Sequence, residues 1–275
     1  MERFFDGGAK VKLANKIKNK IMNMMTTYDA DERIKQVETE LSKLGLSYSD
    51  GKLLIKEFVN SICHVDLKKS SMVSNHWLIF AIINSIYDGK KFSNIMEIGT
   101  YDGITTTLLA NLFRDSTILT LDLNDTDELF LETYNRSNTY IDFVKKRDRL
   151  LGLHSNIIQK QKNSFSLTYS EDKKYDLIWV DGAHGYPTIV SDIVNAYRLL
   201  KDGGFLMVDD VISDKLIHQD TMYYSEGAQA TLSELIKLEA FQSYGFPLKR
   251  IEILSSDKVF NNKKIFVGQK KKQIF

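Results

Sequence analysis

From residue 94 onward, short apolar runs alternate with segments of helical spacing, and this alternation constrains the fold more than any other feature of the chain. The runs are Asn94–Gly99 (NIMEIG), Thr117–Leu123 (TILTLDL), Ile157–Lys162, Tyr175–Asp181 (YDLIWVD) and Gly204–Asp209 (GFLMVD). Between them, Ile104, Leu108 and Leu112, and then Ile189, Ile193, Tyr197 and Leu200, recur at helical spacing. Pro187 sits near the start of the second helix, where its missing N–H removes no bond. Such alternation predicts an α/β fold with a doubly wound, mostly parallel sheet covered on both faces. Two later runs, Arg250–Leu254 and Lys264–Gly268, leave no room for a crossover helix and are expected to form an antiparallel C-terminal hairpin.

Before residue 90 the spacing is helical throughout: Ile34, Val37, Leu41 and Leu44, then Leu54, Phe58 and Ile62, then Trp77, Phe80, Ile83 and Ile86. Gly45 reads as a helix stop. The first segment has coiled-coil spacing, but two heptads fall short of the three or four that a seam needs, which favours local packing. Residues 1–88 are therefore expected to form a helical extension that covers a cleft or builds an oligomer, ahead of a second unit at 89–275.

Composition removes several classes. Lys and Arg number 37 against 36 Asp and Glu, so no global field exists to hold nucleic acid. Cys63 is the only cysteine, which excludes an internal disulfide and a cysteine zinc cluster and suits a reducing cytoplasm. The apolar run Trp77–Ile83 is far shorter than the ~20 residues of a membrane span, and MERFFDGGAK does not read as a secretory signal. Lys10, Lys12, Lys16, Lys18 and Lys20, interleaved with Val11, Leu13, Ile17 and Ile21, could make a weak membrane-surface contact. A solvated face or a homo-oligomer contact is the commoner use of such a pattern, and Lys270–Lys272 form a second basic segment.

The first strand runs into Glu97-Ile-Gly99-Thr100-Tyr101-Asp-Gly103 and then a helix. Glycines here allow a sharp turn and a close approach to a ligand at the helix N-terminus. A dinucleotide fingerprint would read GxGxxG. ExGxxxG instead places a carboxylate in the turn, which disfavours a pyrophosphate and makes NAD the poorer cofactor. Nineteen residues after Gly103, the second strand delivers Asp122, at the separation where an acid meets ribose hydroxyls.

With these residues the sequence resembles the class I S-adenosylmethionine-dependent methyltransferases over roughly residues 75–270. MEIGTYDG looks like their first motif, LTLDLND like their second, and YDLIWVDGAHGYPTIVSDIVNAYRLLKDGGFLMVDD like the fourth and fifth strands of the small-molecule O-methyltransferases. The resemblance implies a Rossmann-like fold with Glu97, Gly99, Thr100, Tyr101 and Gly103 around the methionine part of S-adenosylmethionine, Asp122 on its ribose, and Asn163 and Ser164 against adenine.

Asp181 ends the fourth strand and Asp209-Asp210 the fifth, and the carboxyl ends of neighbouring parallel strands face one crevice. Hard oxygen ligands suit Mg²⁺; the bland reading is an exposed loop and a helix cap. The catechol-type and the sugar and macrolide O-methyltransferases that this chain resembles place metal-binding acids here, implying Asp181, Asp209 and Asp210 as ligands. His184 stands where the catechol-type enzymes carry a catalytic lysine, and Ala183 where several sugar enzymes carry an acid. His184, beside Asp181, is thus the candidate base, its ordinary pKa of ~6.5 suiting proton acceptance. His64, His76, His154 and His218 fall in no comparable motif and read as structural or surface residues. Tyr101, Trp179 and Tyr223-Tyr224 could line an acceptor pocket, though aromatics at strand ends are more often core. The expected activity is methylation of a hydroxyl on a small molecule, most simply a sugar or glycan precursor in carbohydrate biosynthesis, with Mg²⁺ assistance. The competing readings are a metal-free N-methyltransferase on an amine or amino sugar and a non-catalytic cofactor-binding subunit.

Overall fold

The computed structural model describes residues 30–61, 74–86, 92–132, 140–169, 175–212, 225–252 and 258–272. Helix α1 spans 30–42, and Gly45, at φ 69°, ends its last turn in the left-handed region. Helices α2 (Tyr48–Ser61) and α3 (Asn75–Ile86) follow. The sheet unit then runs β1 (Asn94–Ile98), α4 (Ile104–Leu112), β2 (Thr117–Asp122), α5 (Glu128–Glu132), α6 (Tyr140–Leu151), β3 (Ile157–Gln161), a 3-10 helix (Ser164–Tyr169), β4 (Tyr175–Val180), α7 (Thr188–Leu199) and β5 (Leu200–Val211). It closes with α8 (Gly227–Lys237), β6 (Phe241–Gly245), α9 (Lys258–Asn261) and β7 (Lys264–Lys270).

The strands lie in the order β3-β2-β1-β4-β5-β7-β6. The first five are parallel, and β7 pairs antiparallel with both β5 and β6. The pleat sends alternate residues to opposite faces. Ile95, Ile118, Leu177, Phe205 and Trp179 face a core shared with α1, α3 and α4. Met96, Leu119, Ile178 and Leu206 face a second core completed by α7 and α8. This explains why the central strands read as continuous apolar runs: both faces are covered.

The antiparallel C-terminal pair is present, but its first strand is Phe241–Gly245 and not the expected Arg250–Leu254. FQSYG carries polar residues at the strand's exposed positions, so no apolar run advertises it. Pro247–Arg250 instead forms a strap. Its backbone bonds to the N-terminus of α3 (Asn75 N to Lys249 O, 2.8 Å) and to the approach to β7 (Lys249 N to Lys263 O, 2.8 Å). Residues 253 and 254 lie outside the described residues. So do residue 88 and the expected boundary beside it, Cys63, His64, His218, Tyr223-Tyr224 and the basic segment Lys10–Lys20.

Helix α1 is tied into the sheet unit by contacts remote in sequence. Arg33 donates to the carbonyl oxygens of Ile251 and Arg250 at 2.9 and 3.0 Å, and Glu40 accepts from Phe246 N at 2.9 Å. A Cβ on Gly245 would lie 2.5 Å from the Glu40 carbonyl oxygen, so only glycine permits that approach. Among the described residues, no helix is long and apolar enough to cross a membrane.

Leu41 is fully buried in the core that α1 shares with the sheet. Leu41→Ala should therefore destabilise the protein by about 2 to 5 kcal/mol. Urea unfolding followed by both circular dichroism and tryptophan fluorescence should still give one transition; two separate transitions would show α1 to be an independent unit.

Candidate active site

The carboxyl ends of β1, β2, β3, β4 and β5 open onto one cavity of about 480 Å³, within the range of small-molecule sites. Its centre is the turn after β1. Gly99, at φ 103°, passes so close to β4 that a Cβ would lie 2.2 Å from the Asp181 carbonyl oxygen. Its N–H donates to Leu121 O at 2.8 Å, and Asp181 N donates to Ile98 O at 2.8 Å. Tyr101 takes a left-handed φ of 48°, held by its N–H donating to Asp122 Oδ2 at 2.8 Å. Asp122 thus fixes the turn as well as facing the cavity. Its Oδ1 accepts from Leu123 N, also at 2.8 Å.

Gly99, Thr100, Tyr101, Asp122, Asn163 and Ser164 all line the cavity, as expected. Glu97 and Gly103 do not. Gly103, at φ 77°, starts α4 with its Cα against Leu151 of α6, so its role is backbone geometry. Glu97 lies wholly buried behind the wall, because the pleat turns it toward α4. Thr106 Oγ1 and Thr120 Oγ1 both donate to its Oε2, the latter at 2.6 Å. Thr100 Oγ1 lies 2.7 Å from Thr120 Oγ1, so a chain of hydroxyls links this carboxyl to the cavity. Burial pushes the Glu97 pKa up to about 8, against the lowering effect of the two threonines, with Asp181 and Asp122 adding to the rise. At neutral pH Glu97 is mostly a neutral acid, so it does not supply the turn with a charge for a cofactor's ammonium group.

The acidic rim is also differently built from the expectation. Asp181, Asp209 and Asp210 all line the cavity. The β5–β7 register shifts between Val208 and Val211, and Asp210 takes a left-handed φ of 51°. Lys249, carried on the strap, donates to Asp209 Oδ2 and, at 2.6 Å, to Asp210 Oδ1; Lys263 donates to Asp210 Oδ2. Despite burial, Lys249 lowers the pKa of both aspartates and the aspartates raise that of Lys249.

This arrangement does not fit a magnesium ion held by the three aspartates. Two of the three ligands already hold a buried ammonium. Asp181, His184 and Asp209 do bring ligand atoms within 4.8 Å of one another. That cluster has its own explanation in the ion pairs of His184: Nε2 lies 3.5 Å from Asp181 Oδ1 and 3.7 Å from Asp210 Oδ2.

Burial alone would lower the His184 pKa, but Asp210, Asp181 and Asp209 together raise it. Asp181, although 27% exposed through the cavity, is pushed up to about 7 by loss of water and then by Asp209, with His184 opposing. The two titrate as a pair that carries a proton near neutrality. His184 and Asp181 thus share a proton as one ion pair. Its position is fixed by Ser225 Oγ, which donates to His184 O at 3.1 Å.

His76, read from sequence as structural or surface, is buried and lines the cavity. It comes from α3 and stacks on Trp179 with ring centroids 4.9 Å apart. Its Nδ1 bonds with Ser74 Oγ, and its Nε2 has no hydrogen-bond partner among the described residues. Burial drops its pKa to about 3, so the ring is neutral. Trp179 itself is core and does not line the cavity. His76, Lys249 and Lys263 carry no motif of their own. The one signal for the lysines was the lack of a sequence-local cation for three converging carboxylates.

Residues 96–211 match a family model described as a methyltransferase domain. No curated protein matches the chain. Among solved structures, the O-methyltransferase from Bacillus cereus in complex with SAH aligns at 14% identity over 81% of this chain and 91% of its own, with a TM-score of 0.51. A Klebsiella pneumoniae protein described as an O-methyltransferase aligns at 14% identity over 87% and 90%, with a TM-score of 0.52. Cofactor-bound Rv0187 from MTB aligns at 13% identity over 80% and 97%, with a TM-score of 0.53. At these identities the shared property is the fold.

The buried Glu97 makes a pH test of the site's foundation. Its folded pKa of about 8 lies above the ordinary 4.5, so its contribution to stability is complete below about pH 4.5 and is lost as pH rises through about 8. Relative to Glu97→Gln, the wild type should lose on the order of a few kcal/mol across that window. Chemical denaturation of both proteins at several pH values measures it, and parallel stability profiles would contradict the assignment.

Proposed function

We propose that the chain, whose residues 96–211 match a methyltransferase domain, is a class I S-adenosylmethionine-dependent methyltransferase that methylates a hydroxyl of a small, uncharged, oxygen-rich acceptor of the sugar type. The observation that supports this reading most is the Asp181–His184 pair in the same cavity as the Gly99 turn and Asp122. S-adenosylmethionine, when bound, supplies an electrophilic methyl group on a sulfonium. Gly99, Thr100 and Tyr101 would hold its methionine arm, and Asp122, which lines the same cavity, would meet its ribose hydroxyls.

An alcohol is a poor nucleophile at neutral pH, so the site must take its proton as the C–O bond forms. Asp181 is the acceptor of that proton. A carboxylate raised to about 7 is matched to working pH in a way that an ordinary one near 4 is not. His184 orients Asp181 and balances its charge. Lys249 and Lys263 neutralise the neighbouring Asp209 and Asp210, so these two carboxylates are not left to attract an ammonium substrate. This favours a hydroxyl acceptor over the amine of an N-methyltransferase. Neutral His76 stands at the same end of the cavity, close enough for Asp209 and Lys249 to act on it. The reaction then consists mainly of alignment and exclusion of water.

Transfer of labelled methyl from S-adenosylmethionine to a panel of sugars and sugar nucleotides, read by mass spectrometry, tests the reading; labelling confined to amines would refute it. Asp181→Asn should lower turnover by roughly 10²- to 10⁴-fold with little change in S-adenosylhomocysteine affinity. The wild-type rate should rise with pH through about 7 as the pair loses its proton, and this limb should vanish in the variant. Excess chelator should leave turnover unchanged. Asp122→Ala should weaken S-adenosylhomocysteine binding by about 1.5 to 3 kcal/mol in calorimetry, as expected for loss of a charged hydrogen bond.

A further inference from the structure

The rim of the cavity already contains a cation, and that cation is part of the chain. Lys249 Nζ donates to Asp209 Oδ2 and, at 2.6 Å, to Asp210 Oδ1, and Asp181 at the end of β4 acts on it electrostatically. All three acids that the sequence offers as metal ligands thus bear on one ammonium. Its backbone is fixed from both sides. Asn75 N donates to Lys249 O and Lys249 N donates to Lys263 O, each at 2.8 Å, while Asn75 Nδ2 donates to Leu248 O at 2.7 Å. Lys263 donates to the other oxygen of Asp210, so two carboxylates and two ammonium groups balance in charge. A divalent ion would have to displace a lysine that its own strap holds in place.

Lys249 is buried but not sealed: its side chain keeps 10% of its surface accessible, and it lines the cavity with Asp181 and His184. An ammonium carries three N–H groups. Asp209 and Asp210 take two, which leaves one donor for an oxygen that enters the cavity. His184 Nε2 lies 3.5 Å from Asp181 and 3.7 Å from Asp210, whose other oxygen bonds Lys249, so Asp181 and the ammonium stand at one corner of the site. A donor held in place before reaction stabilises the charge that builds on an oxygen as its proton leaves. We propose that Lys249 is a built-in replacement for a divalent ion, donating its third N–H to the acceptor's hydroxyl oxygen while Asp181 takes the proton. The balance is simple: the oxygen–methyl bond forms, the sulfur–methyl bond breaks with its electron pair left on sulfur, and Lys249 keeps all three of its protons. This inference rests on the O-methylation reading above and adds a second group that touches the acceptor.

Lys249→Met keeps most of the side chain's length and removes its charge. With a panel sugar that the wild type labels, the variant should lose turnover by roughly 10²- to 10³-fold, the range for one donor to a developing oxyanion, with S-adenosylhomocysteine affinity unchanged. The deficit should shrink for the deoxyfluoro analogue of that sugar, because fluorine makes the neighbouring hydroxyl more acidic and less dependent on a donor. A lysine that only held the fold together would cost both acceptors equally. Equal deficits, or a normal rate in the variant, overturn the proposal. If Lys249→Met does not fold, calorimetry of the intact wild type with Mn²⁺ decides. No saturable binding is expected, and a Mn²⁺ site that Asp209→Asn abolishes overturns the proposal, since the place given to Lys249 would then be open to an ion. Failure of the wild type to methylate any hydroxyl would instead bring down the O-methylation reading, and the inference with it.

Discussion

The site depends on one approach of backbone to backbone. Where β1 ends, Gly99 lies against the Asp181 carbonyl with no space for a Cβ, and Asp181 N bonds back to Ile98 O. A substituent at Gly99 would push β1 and β4 apart where both deliver functional groups. The Gly99 turn and the Asp181 carboxylate, both lining the cavity, are therefore one rigid unit. Catalysis by alignment needs that rigidity, since a misplacement of about 1 Å costs rate heavily. Asp122 adds the second tie by holding the Tyr101 N–H, so the strained turn is braced from β2 as well as from β4.

Electrostatics around this frame are arranged by burial and by counterions from far along the chain. The two carboxyls that lack a lysine, Glu97 and Asp181, rise toward neutrality, whereas Asp209 and Asp210, which have lysines, fall. Four acids near one sheet edge thus take three states: a neutral hydrogen-bond acceptor behind the wall, a raised carboxyl paired with His184 at the cavity, and an ion-pair cluster with lysines. The difference comes from neighbours, not residue type.

Much of the sheet was legible because its strands are buried on both faces and so leave uninterrupted apolar runs, as in Tyr175–Val180. Gly45, Gly99 and Asp122 were legible because turn chemistry and strand ends are local properties. β6 was not, since an edge strand with exposed Gln242 carries little apolar signal. The side of the wall on which Glu97 lies was also hidden: a strand residue next to a turn can face either layer, and only α4 packing decides. The partners of Asp209 and Asp210 lie about 40 and 53 residues away in sequence, beyond any local pattern. His76 was passed over for the same reason, since the helix carrying it reads as plain apolar core until its packing on Trp179 brings it to the cavity.

The strap at Pro247–Arg250 gives the molecule a division of labour. The stretch matching the methyltransferase model, residues 96–211, contains the Gly99 turn, Asp122, Asp192 and all three rim aspartates. Neither His76 nor Lys249 lies within it; one precedes the stretch and the other follows it, and the two meet where Asn75 bonds to the Lys249 backbone. That end of the cavity is thus assembled from both flanks, outside the matched stretch. Changes in those flanks can therefore reshape one end of the cavity during evolution while the Gly99 turn and Asp122 stay untouched.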